Sequence, residues 1–282
     1  MQTDDKPMTR IRYLPALLAI VLVAAGCEII RPGGPTASPV SASFYVAGTG
    51  AGLELVTALT ARFTAMHPEV HFVIEDVGQD TAVASVAIGK ADFGFISRDL
   101  KPGETDRVRA VPFAATGTGL AVNPANPHAG LSKDQIRRIY SGEITDWAQV
   151  GGSPGQIRPF LRESGSATRA SFEAYFFEGT PMYGQNVVEI TNSGPMLQAV
   201  RDLKTAVGMV TVQKSSVEDS SIELLSINGV TATTRNVNSG IYPVRRPIIL
   251  LLPDTESPIA PRLRDFFEFI QSPEGHDILS GF

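Results

Sequence analysis

The chain has one cysteine, one tryptophan and four histidines in 282 residues, and no run of basic residues. A single thiol excludes a disulfide framework and a zinc site built from cysteines. The absence of a basic stripe, with a formal net charge of −5, makes nucleic acid a poor partner. Long apolar runs are also scarce. The longest, YLPALLAIVLVAAG from Tyr13 to Gly26, is too short for a membrane span and follows Lys6, Arg10 and Arg12, as the core of a signal segment does. The lone cysteine, Cys27, stands directly after it.

The run AAGC resembles the lipobox of bacterial lipoproteins, with Ala24 where leucine is more usual. The resemblance implies a signal peptide over residues 1–26 and a lipidated Cys27; the alternative is a signal segment with an incidental cysteine. After Cys27 comes EIIRPGGPTASPVSA, rich in Pro, Gly, Ser and Ala, so residues 27–42 read as a flexible tether without a core. Removing residues 1–26 moves the formal charge from −5 to −6, so any bound anion must be held by a local site.

From Ser43 onward about 240 residues remain, enough for one large core or two lobes. Ser43–Ala47 reads as a strand, Leu53–Met66 as a helix stopped by Pro68, Val70–Val77 as a second strand, then a short helix to Lys90 and a third apolar run, Ala91–Arg98. That alternation predicts an α/β fold, a parallel sheet with helices on its faces. Ligands of such sheets bind beyond the strands' carboxyl ends, at the loops Gly48–Gly52, Gly78–Ala82 and Ser97–Asp99. VPFAATGTGLAVNPANP then crosses to a second set of elements: a Ser132-capped helix, the strand QIRPFL, VVEITNSGPMLQAVRD, the strand AVGMVTVQ, the buried strand Pro247–Leu252 and a closing helix and turn.

Several local patterns admit more than one chemistry. GTGAG at Gly48–Gly52, with Glu75 and Asp76 at the end of the second strand, approaches a dinucleotide fingerprint, but its third glycine comes one residue early. No Lys-Ser/Thr follows it, which excludes a P-loop. HPEVH, His67 to His71, echoes a zinc-protease motif, yet Pro68 breaks the helix and Glu69 is misplaced, so no metal is expected. The stretch RESGSATRASFEAYF, Arg162 to Phe176, carries the most specific signal. Phe172, Tyr175 and Phe176 mark one face of a helix, which places Gly165, Ser166, Ala167 and Thr168 at its N-terminus behind Arg162. Unpaired N–H groups, hydroxyls and a guanidinium together suit an anion, while an ordinary Ser/Thr cap with a surface arginine is the plainer reading. Ser166 lacks the G-x-S-x-G elbow of a hydrolase nucleophile.

LSKDQIRRIYSGEITDWAQVGG, RESGSATRASFE, AVGMV, INGVTATTRNVNSGIYPVRRPI and FFEFIQSPEGHDIL resemble, in order and spacing, the phosphate-binding proteins of ABC transporters of the PstS type. The resemblance spans Ser43 to Phe282. It implies a two-lobed periplasmic-binding-protein fold, each lobe a mainly parallel sheet flanked by helices, joined by two crossover strands near Thr116–Leu120 and Tyr242–Pro247. Lobe 1 would comprise residues 43–117 and 246–282, and lobe 2 residues 118–245. It further implies a monomer without cofactor or enzymatic activity that binds phosphate outside the cytoplasm, is lipid-anchored to the outer face of a bacterial membrane, and feeds the membrane subunits of an ABC permease.

By the same resemblance Thr49 and Gly50, the loop Gly78–Thr81, and Arg162 with Ser166, Ala167 and Thr168 would surround the anion. Ala167 stands where the family usually has glycine, and Arg98 where described members carry an aspartate that accepts a proton from hydrogen phosphate. Asp80 is the expected substitute acceptor, with Thr81 beside it and Arg98 as a further anion ligand; a helix-capping Asp80 and an Arg98 paired elsewhere are the alternative. Binding of sulfate or molybdate, a sensory or adhesive role, and a secreted phosphatase or other hydrolase remain as rival functions.

Overall fold

The strand and helix periods at the front of the chain fold as their spacing predicts. The computed structural model describes residues 41–126, 130–178, 181–254 and 261–282, so the leader, Cys27, the tether and His128 lie outside the described residues. The order begins β1 (Ala42–Gly48), α1 (Gly50–Met66), β2 (Val70–Asp76), α2 (Gln79–Ala87) and β3 (Phe93–Ile96). β1 pairs in parallel with β2 on one side and β3 on the other, which helical crossovers between them allow. α1 starts at Gly50, ahead of the expected Leu53, so the glycine loop forms its cap and first turn.

The chain then runs through β4 (Val108–Val122), β5 (Gly130–Leu131), α3 (Lys133–Tyr140), a 3-10 turn at Trp147–Val150, β6 (Arg158–Arg162), α4 (Ala167–Phe177), β7 (Val188–Ile190) and α5 (Ser193–Asp202). It continues with β8 (Ala206–Val212), α6 (Lys214–Val217), β9 (Glu223–Leu224), β10 (Ser226–Ile227) and α7 (Thr234–Asn238), and closes with β11 (Arg245–Pro253), α8 (Pro261–Ile270) and α9 (Pro273–Gly281). Ser132 caps α3 in a full capping box with Gln135, as its sequence indicated.

β4 decides how the halves join. Its first part pairs antiparallel with β11 and its last part, Gly117–Val122, antiparallel with β8. The ladder therefore runs unbroken in the order β2-β1-β3-β11-β4-β8-β6-β7, with β9 also on β4. Parallel pairs occupy its two ends, and the antiparallel pairs sit where the two crossover strands pass.

Two aromatic cores flank this ladder. Phe44, Phe63, Phe93, Phe95, Ile248 and Phe266 pack together from both ends of the chain. Tyr140, Trp147, Phe172, Phe176, Met209 and Tyr242 pack together from its middle. The polar tips of the second set are all satisfied: Tyr140 donates to the Phe160 carbonyl at 3.0 Å, Trp147 to Thr205 at 3.1 Å and Tyr242 to Thr118 at 3.1 Å.

The first core explains two glycines of the GTGAG loop. A Cβ on Gly48 would lie 2.1 Å from the Phe95 ring, and one on Gly52 2.7 Å from it. Phe95 is fully buried and cannot swing aside. Gly48→Ala should therefore cost about 1–3 kcal/mol, visible as a lowered urea midpoint at unchanged slope. These glycines admit a phenylalanine rather than a pyrophosphate.

Candidate functional site: a cleft between helix N-termini

The ends of β1, β2 and β3 and those of β6 and β7 open onto one cleft of about 790 Å³. Helices α1, α2, α4 and α5 all begin at its wall, with Thr49, Gly78, Ser166 and Asn192 as N-cap residues. Each first turn carries N–H groups without an intrahelical acceptor, so the cleft collects partial positive charge. Gly78 at φ 77° and Asn192 at φ 70° make the sharp entries to α2 and α5, a backbone region that favours glycine and asparagine.

Ser166 is buried and its hydroxyl accepts from the Arg169 N–H at 3.4 Å, an N-cap bond. The N–H groups of Ala167 and Thr168 then remain for a ligand. Ala167 adopts no left-handed backbone, so its methyl adds no strain where the resemblance implies glycine. Thr168 is buried, with its hydroxyl 3.5 Å from that of Thr211 on β8.

Arg162 ends β6 and is buried. Its Nε and Nη2 donate to Glu163 at 2.8 Å each, and its Nη1 donates to Ser193 at 2.9 Å. Three of the guanidinium's five N–H groups are so engaged, which leaves two for a ligand. The Arg162 bond is the main cause that holds the Glu163 carboxyl below its ordinary range.

Arg246, near the start of β11, was not singled out by the sequence and proves central. It is only 6% exposed, and its Nη2 donates to Thr211 at 2.9 Å while Nη1 lies 3.5 Å from Ser97 at the end of β3. Its Nε is buried without a hydrogen-bond partner. No described carboxylate pairs with it, and burial, then the like charge of Arg162, pushes its pKa down to about 9. Ile248, two residues on and on the same strand face, reaches the first turn of α1 at Gly52. Arg246 thus links Ser97 in one half to Thr211 and Thr168 in the other. The signal for it was present, a charged residue entering the apolar run PIILLL.

Of the residues singled out by sequence, Thr49, Gly50, Arg162, Ser166, Ala167 and Thr168 share the cleft wall. Asp80, Thr81 and Arg98 are not brought to it. Asp80 lies in the first turn of α2 with its side chain turned outward to Arg98 at 2.7 Å and Lys101 at 2.7 Å. Those bonds, Lys101 first, hold its carboxyl below the ordinary range. Arg98 is further gripped by Glu104 at 2.8 and 2.9 Å. Neither reading holds whole: Arg98 is paired with acids, but Asp80 is one of them and makes no capping bond to α2, whose N-cap is Gly78; the physical reason is that Lys101 and Glu104 follow in the next loop and complete a local ion network. His67 pairs with Glu69 at 3.7 Å, and among the described residues no group of three His, Cys, Asp or Glu is arranged to hold a metal.

Comparison with known proteins agrees with this geometry. A PBP superfamily domain model matches residues 33–274. The chain is 27% identical to the phosphate-binding protein PstS of Bacillus subtilis over 81% of this chain and 78% of that protein. A structure with bound phosphate from Clostridium perfringens, described as a phosphate ABC transporter substrate-binding protein, superposes with a TM-score of 0.74 at 29% identity, covering 84% of this chain and 96% of that one. An ABC-type phosphate transport receptor from Vibrio cholerae shares the fold at 24% identity and a TM-score of 0.64, over 84% of this chain and 96% of that one. With the matched model spanning most of its length and the two-halved sheet and cleft in place, this chain belongs to the PBP superfamily.

Proposed function

We propose that this protein binds inorganic phosphate in the cleft and delivers it, outside the cytoplasm, to an ABC-type permease. The observation that carries the reading is Arg246: a buried guanidinium with an unpartnered Nε, beside a second buried arginine, between the N-termini of α1 and α4. An enclosed oxyanion relieves the arginines' mutual repulsion and gives the unpaired N–H groups their acceptors. Thr49 and Gly50 with the first turn of α1 hold one side of it. Arg162, Ser166, Ala167 and Thr168 hold the other, and Arg246 closes the floor.

In this reading residues 43–117 with 246–282 form one lobe and residues 118–245 the other, each built on one of the aromatic cores, hinging where β4 and β11 pass between them. Function consists of capture, closure and release. Ser166 caps α4 by accepting from the Arg169 N–H and keeps its own O–H for the anion. Cys27 carries the lipid and residues 27–42 tether a monomeric binding protein to the membrane.

Thermal unfolding of the full chain in detergent tests the reading, with phosphate, sulfate, molybdate or no added anion after extensive dialysis. Phosphate at about a hundred times its dissociation constant should add roughly 2.7 kcal/mol of stability, seen as a raised midpoint. A rise with molybdate or sulfate but none with phosphate would replace phosphate with another oxyanion. The same midpoint with every anion, in protein whose denatured form releases no phosphate, would overturn the binding reading.

A further inference from the structure

The stretch RESGSATRASFE carries two arginines, and only the first, Arg162, lines the cleft. Between Arg162 at the end of β6 and Ala167 at the start of α4 runs a turn tied by one backbone bond, from the Ser166 N–H to the Glu163 carbonyl at 3.0 Å. Its Ser164 and Gly165 are exposed, and a Cβ on Gly165 would meet no atom within 4 Å. Packing of the turn therefore does not set how Arg162 stands relative to the helix start. Arg169 supplies that link. From the first turn of α4 its Nη1 reaches back to donate to the Arg162 backbone carbonyl at 3.1 Å, and the same nitrogen donates to Glu189 at 2.8 Å. Glu189 lies on β7, opposite Leu161 in the parallel register. The Arg169 Nε donates to Glu173, one turn along α4, at 2.7 Å, and the Tyr183 hydroxyl donates to the same Glu173 oxygen at 2.8 Å. The Tyr183 ring stands 5.5 Å from the guanidinium.

A guanidinium is a rigid planar fork, so the acceptors that it joins are held in a fixed relation to one another. Here they belong to β6, β7 and α4. Arg169 is paired with two carboxylates and does not line the cleft, so its charge is met away from the ligand. We propose that Arg169 is the positioning residue of the anion site. It pins the backbone of Arg162 to the first turn of α4 and to β7, so that the Arg162 guanidinium converges with the N–H groups of Ala167 and Thr168 on one oxyanion. It touches no ligand and acts through Arg162. A site assembled from separate elements keeps its affinity only while its donors stay within about 0.5 Å of the productive geometry, because hydrogen bonds weaken steeply with angle and distance. Burial, then the Glu173 bond, pushes the Tyr183 phenol above its ordinary value, which keeps it a donor to Glu173. The assignment rests on the phosphate reading for the identity of the ligand; the geometry serves any tetrahedral oxyanion bound at the same place.

Calorimetric titration with phosphate, paired with urea unfolding, tests it on the full chain in detergent near neutral pH. Arg169→Lys keeps the charge but replaces the fork with a single donor point, and Arg169→Met removes both. Each should weaken phosphate binding about tenfold, the lower end of what supporting partners contribute at bound-ion sites. Tyr183→Phe, which removes only the outermost bond, should weaken it less and keeps the test open if an Arg169 variant fails to fold. In an Arg162→Lys background, where binding remains measurable, Arg169→Lys should cost little more, because the group it aims is already gone. Native affinity in Arg169→Lys would show that charge and not geometry is at work. A lowered urea midpoint with native affinity in Arg169→Met would make Arg169 structural only. A full tenfold loss in the Arg162→Lys background would show that it acts through some other group. Each of these three results overturns the proposal while the phosphate reading stands. If the native chain, stripped of ligand, binds no phosphate, that reading itself falls and this assignment with it.

Discussion

Arg246→Met should raise the unfolding midpoint of the ligand-free protein while weakening phosphate binding roughly a hundredfold. The two signs follow from one fact. Without a bound anion Arg246 is a buried charge with an unsatisfied Nε and no carboxylate partner among the described residues. Replacing such a charge with an apolar side chain of similar length removes a desolvation cost, about 1–3 kcal/mol of gain less whatever Thr211 and Ser97 lose as partners. With phosphate present the balance reverses, because the charge that was uncompensated is then the anion's counterion. Loss of a buried charged contact costs about 3 kcal/mol in affinity, close to two decades in Kd. Thermal melts with and without phosphate, together with titration calorimetry, read both limbs. A variant less stable when empty, or one that binds as tightly as the native chain, would show that Arg246 is a structural residue.

Arg162→Ala should have the larger effect on binding, about 4 kcal/mol or roughly a thousandfold in Kd. Truncation removes two free donors and also strands Glu163, whose carboxylate would then face the incoming anion. The same variant changes the response to acid. In the native protein the folded Glu163 titrates below its ordinary value of 4.5, so the pair's contribution to stability is fully present above that value. It is lost as pH falls through the lowered folded value. In Arg162→Ala the largest cause of that lowering is gone and only backbone N–H bonds such as that of Asn192 remain, so the urea midpoint should decline less steeply over the acid range. Identical acid limbs in the two proteins would mean that Glu163 gains nothing from Arg162.

Both arginines act through the join between the halves, and this sets the limits of what linear sequence can express. The alternation of strand and helix patterns was legible because it is local: apolar periods of two and 3.6 residues, a Ser132 cap, and Pro68 after α1. The cleft wall from Arg162 to Thr168 was legible for the same reason, since a guanidinium, two hydroxyls and a helix start lie within a few residues. The expected Leu53 start of α1 fell short because Gly50–Gly52 reads as loop. There the helix extends back through glycines because the Phe95 ring leaves room for nothing larger.

By itself, then, the sequence determined the α/β class, the positions of most elements and one wall of the cleft, all of them settled by neighbours along the chain. Only the tertiary structure decided that β4 and β11 run side by side as one continuous ladder, which carries Arg246 into the cleft between Ser97 and Thr211. It likewise decided the fates of two acids four residues apart. Asp80 falls within reach of Arg98 and Lys101 and is neutralised outside the cleft, whereas Asp76, at the end of β2 opposite Gly48, lies exposed on the cleft wall with no partner among the described residues. Charge pairing depends on distance in space, and the partners of these residues lie between 18 and 149 positions away along the chain.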